Sequence, residues 1–173
     1  MKHHRFFALA TLVALGFAAR FLPHPPNFSP VAALGLFAGA HFGDRRAAVA
    51  VPLLILSLSN LVLGFSALTP IVYASFALIV WLGCALRGRP TAAQVAFAAL
   101  GSAVFFFVTT NFGVWAVGGL YPRTGAGLAA CYVAALPFFR NTLMSDLLYT
   151  AALFGTWRWL ERRWPALATG AGR

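Results

Sequence analysis

The sequence predicts an all-α fold, a polytopic membrane helical bundle of about six transmembrane helices, forming one integral membrane domain over residues 1–173. Three observations carry that expectation. Hydrophobic residues make up 61% of the chain and charged residues only 9%, with a mean hydropathy of +0.81, whereas a soluble domain carries charge on about a quarter of its residues. Apolar runs alternate with short breaks rich in proline, glycine and arginine. The cations stand at the ends of those runs, where they act as topology signals.

The first segment, Phe6 to Leu22, follows the basic stretch Lys2-His3-His4-Arg5. That order has the shape of a secretory signal, with Gly16 and Ala18 at the small-residue places before a cut. Arg20 and a proline-rich loop follow at once, which favours a retained first helix. Ala10, Ala14 and Ala18 recur along one side, and a face of small residues lets helices approach closely in lipid. Such a face suits either packing within the bundle or docking on a partner subunit.

The loop Arg20 to Pro30 gathers Pro23, Pro25, Pro26 and Pro30 around His24 and Asn27. Proline has no backbone donor and pushes its predecessor out of the α region, so the stretch is stiff and non-helical. It holds His24 and Asn27 in fixed directions, as a recognition element needs; a rigid tie between helices is the plainer reading. Val31 to Gly43 is short, rich in small residues, and reads as a stubby or partly re-entrant helix ending at Asp44-Arg45-Arg46. Ala47 to Phe65 contains Pro52, a kink site, with Ser57, Ser59 and Asn60 toward its far end. Thr69 to Leu86 has Pro70 in its first turn, where proline is tolerated, and Tyr73 one turn in.

After the loop Arg87-Gly88-Arg89-Pro90, the segment Ala93 to Val117 ends in Thr109, Thr110, Asn111 and Trp115 before Gly118-Gly119 breaks it. Gly125 to Leu160 is too long for one crossing at about 1.5 Å per residue. Pro137 divides it into a short interfacial or re-entrant helix, Gly125 to Leu136, and a sixth crossing, Phe138 to Leu160.

If the segments alternate, all 13 basic residues except Arg20, Arg123 and Arg140 fall on one side. The positive-inside rule then puts both termini of a multi-pass protein in the cytoplasm, with the proline loop outside. Cations dispersed in this way form no groove-binding face, so the net charge of +10 points to the lipid bilayer and not to nucleic acid.

On this topology Arg20, Asn60, Tyr73, Asn111, Arg140, Asn141 and Asp146 occupy the outer half of the bundle, while the inner half is almost wholly apolar. Polar groups are costly in a bilayer and face a cavity or each other. Their placement predicts a pocket open to the outside and sealed below, and disfavours a pore. The expected substrate-binding set is His24, Asn27, Asn60, Tyr73, Asn111, Trp115, Arg140, Asn141 and Asp146. Amides offer donor and acceptor together and suit a polar organic ligand; interhelical hydrogen bonding is the bland alternative. Asp146 needs a partner, for which Arg20 is a candidate, and Arg140 is expected to contact the ligand or the proline loop.

Catalytic chemistry finds no support: the chain has no Ser-His-Asp set, paired carboxylates or phosphate-cradling glycine loop, and an enzyme is not expected. The histidines show no metal-ligand spacing, so neither metal nor cofactor is expected. Cys84 and Cys131 fall near opposite faces and read as unpaired.

Several stretches together carry a family resemblance: Arg20-Phe21-Leu22-Pro23-His24-Pro25-Pro26-Asn27-Phe28-Ser29-Pro30, Ser59-Asn60-Leu61-Val62-Leu63-Gly64-Phe65, Val72-Tyr73, Asn111-Phe112-Gly113-Val114-Trp115 and Pro137-Phe138-Phe139-Arg140-Asn141-Thr142-Leu143. Over nearly the whole chain the sequence resembles a family of bacterial integral membrane proteins related to the substrate-binding S components of energy-coupling factor (ECF) transporters. The resemblance implies about six helices, capture of a vitamin or similar micronutrient from outside, and a small-residue face on the first helix, matched here by Ala10, Ala14 and Ala18, that docks an energy-coupling transmembrane subunit with its ATPases. Among relatives of defined function it is similar to solitary cobalamin-transporting S components. By that likeness His24, Asn60 and Arg140 fall on ligand-proximal positions, and Tyr73 stands where a metal-binding cysteine is expected. Family members commonly carry Asp where this chain has Asn60. Both departures weigh against cobalamin itself and leave a substrate-capturing membrane subunit for a small micronutrient. The rival expectation is a non-transporting structural or partner-docking membrane protein.

Overall fold

The breaks seen in the sequence become caps and turns in the computed structural model, which describes residues 2–19, 21–165 and 167. The chain forms α1 (Lys2–Ala19), α2 (Val31–His41), α3 (Arg45–Leu63), α4 (Thr69–Cys84), α5 (Ala92–Val117) and α6 (Gly125–Arg163). All regular structure among the described residues is helical. Asp44 opens α3 by accepting the Arg46 N–H at 2.9 Å. At α5 the Thr91 N–H donates to Gln94 Oε1 at 2.8 Å and the Gln94 N–H donates to Thr91 Oγ1 at 3.2 Å, a reciprocal capping box. Thr124 Oγ1 accepts the Gly127 N–H at 3.1 Å and opens α6. Each cap satisfies a donor that the helix itself leaves orphaned.

The eleven-residue α2, expected as a stubby or partly re-entrant piece, is the central helix. Its residues from Val31 to Gly39 are all buried, and it packs against every other helix of the bundle. The contact with α4 is backbone on backbone. A Cβ on Gly39 would lie 2.9 Å from the Cys84 nitrogen, and one on Gly83 would lie 2.8 Å from the Leu36 Cα. Only a residue without a side chain permits that approach. The last turn of α2 is then closed by α4's own loop: Arg87 Nε donates to the Gly39 carbonyl at 3.1 Å and Nη2 to the Phe42 carbonyl at 3.0 Å. A cation at a helix C-terminus also complements the helix dipole. Beside it, Phe37 and His41 of α2 meet Phe154 and Trp157 of α6 in a cluster of rings with centroids 5.2 to 6.0 Å apart across the helices.

The sequence division at Pro137 does not hold. A single helix of 39 residues runs from Gly125 to Arg163 with Pro137 inside it, so the separate helices Gly125 to Leu136 and Phe138 to Leu160 are one element. Proline removes one hydrogen bond and crowds the preceding turn, but α5 grips the helix on both sides of it. The Phe107 ring lies 5.5 Å from Tyr132 and 4.7 Å from Phe139. Tyr132 Oη also donates to the Val108 carbonyl at 2.7 Å. Tertiary contact overrides the local signal.

Among the described residues, α3 and α5 are long and apolar enough to cross a membrane, while α2 and α4 are apolar but shorter. Of the small-residue face on α1, Ala14 and Ala18 are exposed and Ala10 is half-buried. Instead it is Gly16 that faces α2, where an added Cβ would lie 2.9 Å from Leu34 Cδ1.

Gly39→Ala and Gly83→Ala are each expected to destabilise the purified protein by about 1–3 kcal/mol, the range for overpacking. Gly155→Ala, where a Cβ meets nothing within 4 Å, should be neutral or stabilising by up to about 1 kcal/mol. Thermal melting of the three variants checks the order.

Candidate functional site

The site is built from the proline loop downward. Pro25 to Phe28 forms a turn in which the Phe28 N–H donates to the Pro25 carbonyl at 3.0 Å. Asn27 occupies its third position at φ 63°. Proline second and asparagine third are the residues that a type II turn selects, since Pro26 pre-sets its own φ and Asn tolerates the left-handed region. His24 Nδ1–H donates to the Pro25 carbonyl at 2.9 Å. Asn141 Nδ2 of α6 donates to the Pro26 carbonyl at 3.0 Å, and the Phe28 ring packs edge-on against Tyr149 of the same helix at 5.8 Å.

Beneath the loop is a cavity of about 240 Å³. The loop contributes His24, Asn27 and Ser29, and α2 contributes Ala32. Leu56 and Leu63 come from α3, Val72 and Phe76 from α4, Phe106 from α5, and Thr142 and Asp146 from α6. Asp146 is 1% exposed, and its Oδ2 has no hydrogen-bond partner among the described residues. Thr142 Oγ1, one turn before it, donates to the Phe138 carbonyl at 3.1 Å. That leaves the Thr142 oxygen free to accept a bond from a ligand. Arg20, the expected partner of Asp146, lies outside the described residues.

Of the substrate-binding set expected from the sequence, the cavity brings together His24, Asn27 and Asp146. Asn141 acts one step out, holding the loop. Asn60 and Tyr73 turn to each other: Asn60 Nδ2 donates to Tyr73 Oη at 3.3 Å, and Tyr73 Oη donates to Ser57 Oγ at 3.2 Å. Asn111 Nδ2 donates to the Phe107 carbonyl of its own helix at 2.8 Å. Trp115 Nε1 donates to the Pro122 carbonyl at 2.9 Å, tying the end of α5 to the next loop. Arg140 is exposed and does not line the cavity. Sequence reasoning passed over Thr142, Phe76 and Phe106 as lining residues; Thr142 carried a signal, being four residues before Asp146 and so on its face. The two phenylalanines carried none, because apolar residues in apolar helices look alike.

No cluster of His, Cys, Asp and Glu able to hold a metal occurs among the described residues. Cys84 and Cys131 are free thiols, and Cys131 Sγ donates to the Asn111 carbonyl at 3.4 Å. A family model described as a family of unknown function (DUF6580) matches residues 1–167. The chain belongs to this family. No curated protein and no solved structure matches it. In this DUF6580 member the site therefore rests on its own chemistry: a stiff loop, a small cavity and one buried carboxylate.

Asn27→Ala should cost about 1 kcal/mol, because a side chain without local hydrogen bonding is strained in the left-handed region. Asn27→Gly should be neutral. Asn141→Leu should leave the helices intact but speed proteolysis within residues 22–29, measured by limited digestion and mass spectrometry.

Proposed function

We propose that the chain is a multi-pass inner-membrane protein, S-component-like in the ECF sense, that captures a small micronutrient in the cavity beneath the proline loop. The observation that carries the reading is Asp146, a carboxylate with a buried, unpartnered oxygen lining an otherwise largely apolar cavity. A buried carboxyl oxygen without a hydrogen-bond partner is costly, and a ligand that bonds to it would remove that cost. Membrane insertion is supported by the exterior. Phe7, Leu61, Val62, Phe97, Leu120 and Val133 are each more than 60% exposed, an apolar surface that water would not tolerate and lipid would. The cavity lies below the roughly 300–1,000 Å³ usual for drug-sized ligands, which favours a compact micronutrient over the far larger cobalamin. Energy for uptake would come from a partner subunit with ATPases, and the exposed Ala14 and Ala18 offer it a close approach.

A second reading, a non-transporting membrane protein whose outer polar groups hold helices or dock a partner, draws on a different observation. Asn60, Tyr73 and Ser57 join α3 to α4, and Ser75 Oγ lies 2.9 Å from Thr109 Oγ1, joining α4 to α5. Those groups are satisfied within the chain, so they need no ligand. Asp146 is the residue that separates the readings.

Thermal-shift screening of detergent-purified protein against micronutrients tests the proposal. A selective ligand at a hundred times its Kd adds about 2.7 kcal/mol of stability, and Asp146→Asn should remove most of that gain. An unchanged gain in Asp146→Asn, or no micronutrient that stabilises, would leave the second reading standing. Ala14→Leu should keep ligand binding and melting temperature while reducing cellular uptake; a lower melting temperature with no partner present would assign Ala14 to internal packing instead.

A further inference from the structure

We propose that the micronutrient is a small organic cation, bearing an ammonium or planar amidinium group held by Asp146. This rests on the capture reading above and narrows its ligand. The lining of the cavity holds one carboxyl, Asp146, and one ionisable base, His24, whose Nδ1 is turned to the Pro25 carbonyl; neither Lys nor Arg lines it among the described residues. A cationic ligand supplies the missing partner and strong charge-assisted hydrogen bonds to an ionised Asp146, which a neutral or anionic ligand does not.

Two further features suit such a group. Thr142 Oγ1 is committed as a donor to the Phe138 carbonyl, so toward the cavity it can only accept, and an ammonium or amidinium can only donate. Phe76 and Phe106 line the same space with ring centroids 5.0 Å apart and planes inclined by 40°, and aromatic rings attract cations through their quadrupoles. Leu56, Leu63 and Val72 add apolar wall, and His24, Asn27 and Ser29 of the loop line the cavity beside them. Carboxylate, acceptor hydroxyl and paired aromatic rings thus converge from three helices, α6, α4 and α5, on one small volume.

The test uses three probes of nearly equal shape on the full-length protein in detergent: benzamidinium, benzamide and benzoate. Benzamidinium should raise the melting temperature and bind at least about tenfold more tightly than benzamide by calorimetry, with benzoate weakest. In Asp146→Asn the preference for benzamidinium over benzamide should vanish. The three-probe order on the unaltered protein stands by itself if that variant does not fold. Equal binding of benzamide or benzoate, a preference that survives in Asp146→Asn, or no benzamidinium binding would each overturn the cation assignment. Stabilisation by a neutral or anionic micronutrient that depends on Asp146 would overturn it while leaving capture intact. If no compound of any charge depends on Asp146, both fall.

Discussion

Two glycines set the distance on which the rest of the bundle depends. Gly39 of α2 and Gly83 of α4 let the two backbones touch, and that contact seats an eleven-residue helix at the centre of much longer ones. Its C-terminal end is then closed by the Arg87 guanidinium and by the rings of Phe154 and Trp157. The proline loop that leads into α2 lines the cavity with His24, Asn27 and Ser29, and α2 itself lines it with Ala32.

Much of this order was legible in the sequence, for physical reasons that can be named. Asp44, Thr91 and Thr124 are side chains that favour helix starts, and each caps one. The prolines of the loop and the αL tolerance of Asn27 fix its turn, and polarity in an apolar setting singled out His24, Asn27 and Asp146. What stayed hidden belongs to tertiary contact. Hydropathy cannot tell an apolar helix that faces lipid from one that faces protein, so the centrality of α2 left no trace beyond its glycines. Pro137 is a true local break signal, overruled by Phe107 and Tyr132. Asn111 and Trp115 looked like ligand groups, yet their donors close onto nearby carbonyls, a choice that depends on rotamers and not on spacing. Arg87 read as a topology cation and also serves as the cap of α2.

The same division between satisfied and unsatisfied groups separates structure from function. Hydrogen-bonded polar side chains in apolar surroundings contribute about 1 kcal/mol or less each and hold helices in register. A buried carboxyl oxygen without a partner, as at Asp146, is the exception that needs an explanation, and Thr150 Oγ1 one turn on is another. The loop above the cavity is held to α6 by an amide bond from Asn141 and a ring contact from Phe28. Under the capture proposal, stiffness from proline would preserve the loop's geometry at little entropic cost when a ligand arrives.

The central claim is that this loop and its cavity face the outside of the cell. A cysteine placed at Asn27, which is exposed at the tip of the turn, in a background with Cys84→Ala and Cys131→Ala, reports on it directly. A membrane-impermeant maleimide should label that thiol in intact cells as fully as in permeabilised ones. Labelling that appears only after permeabilisation would put the loop in the cytoplasm and contradict the account of an outward-facing capture site.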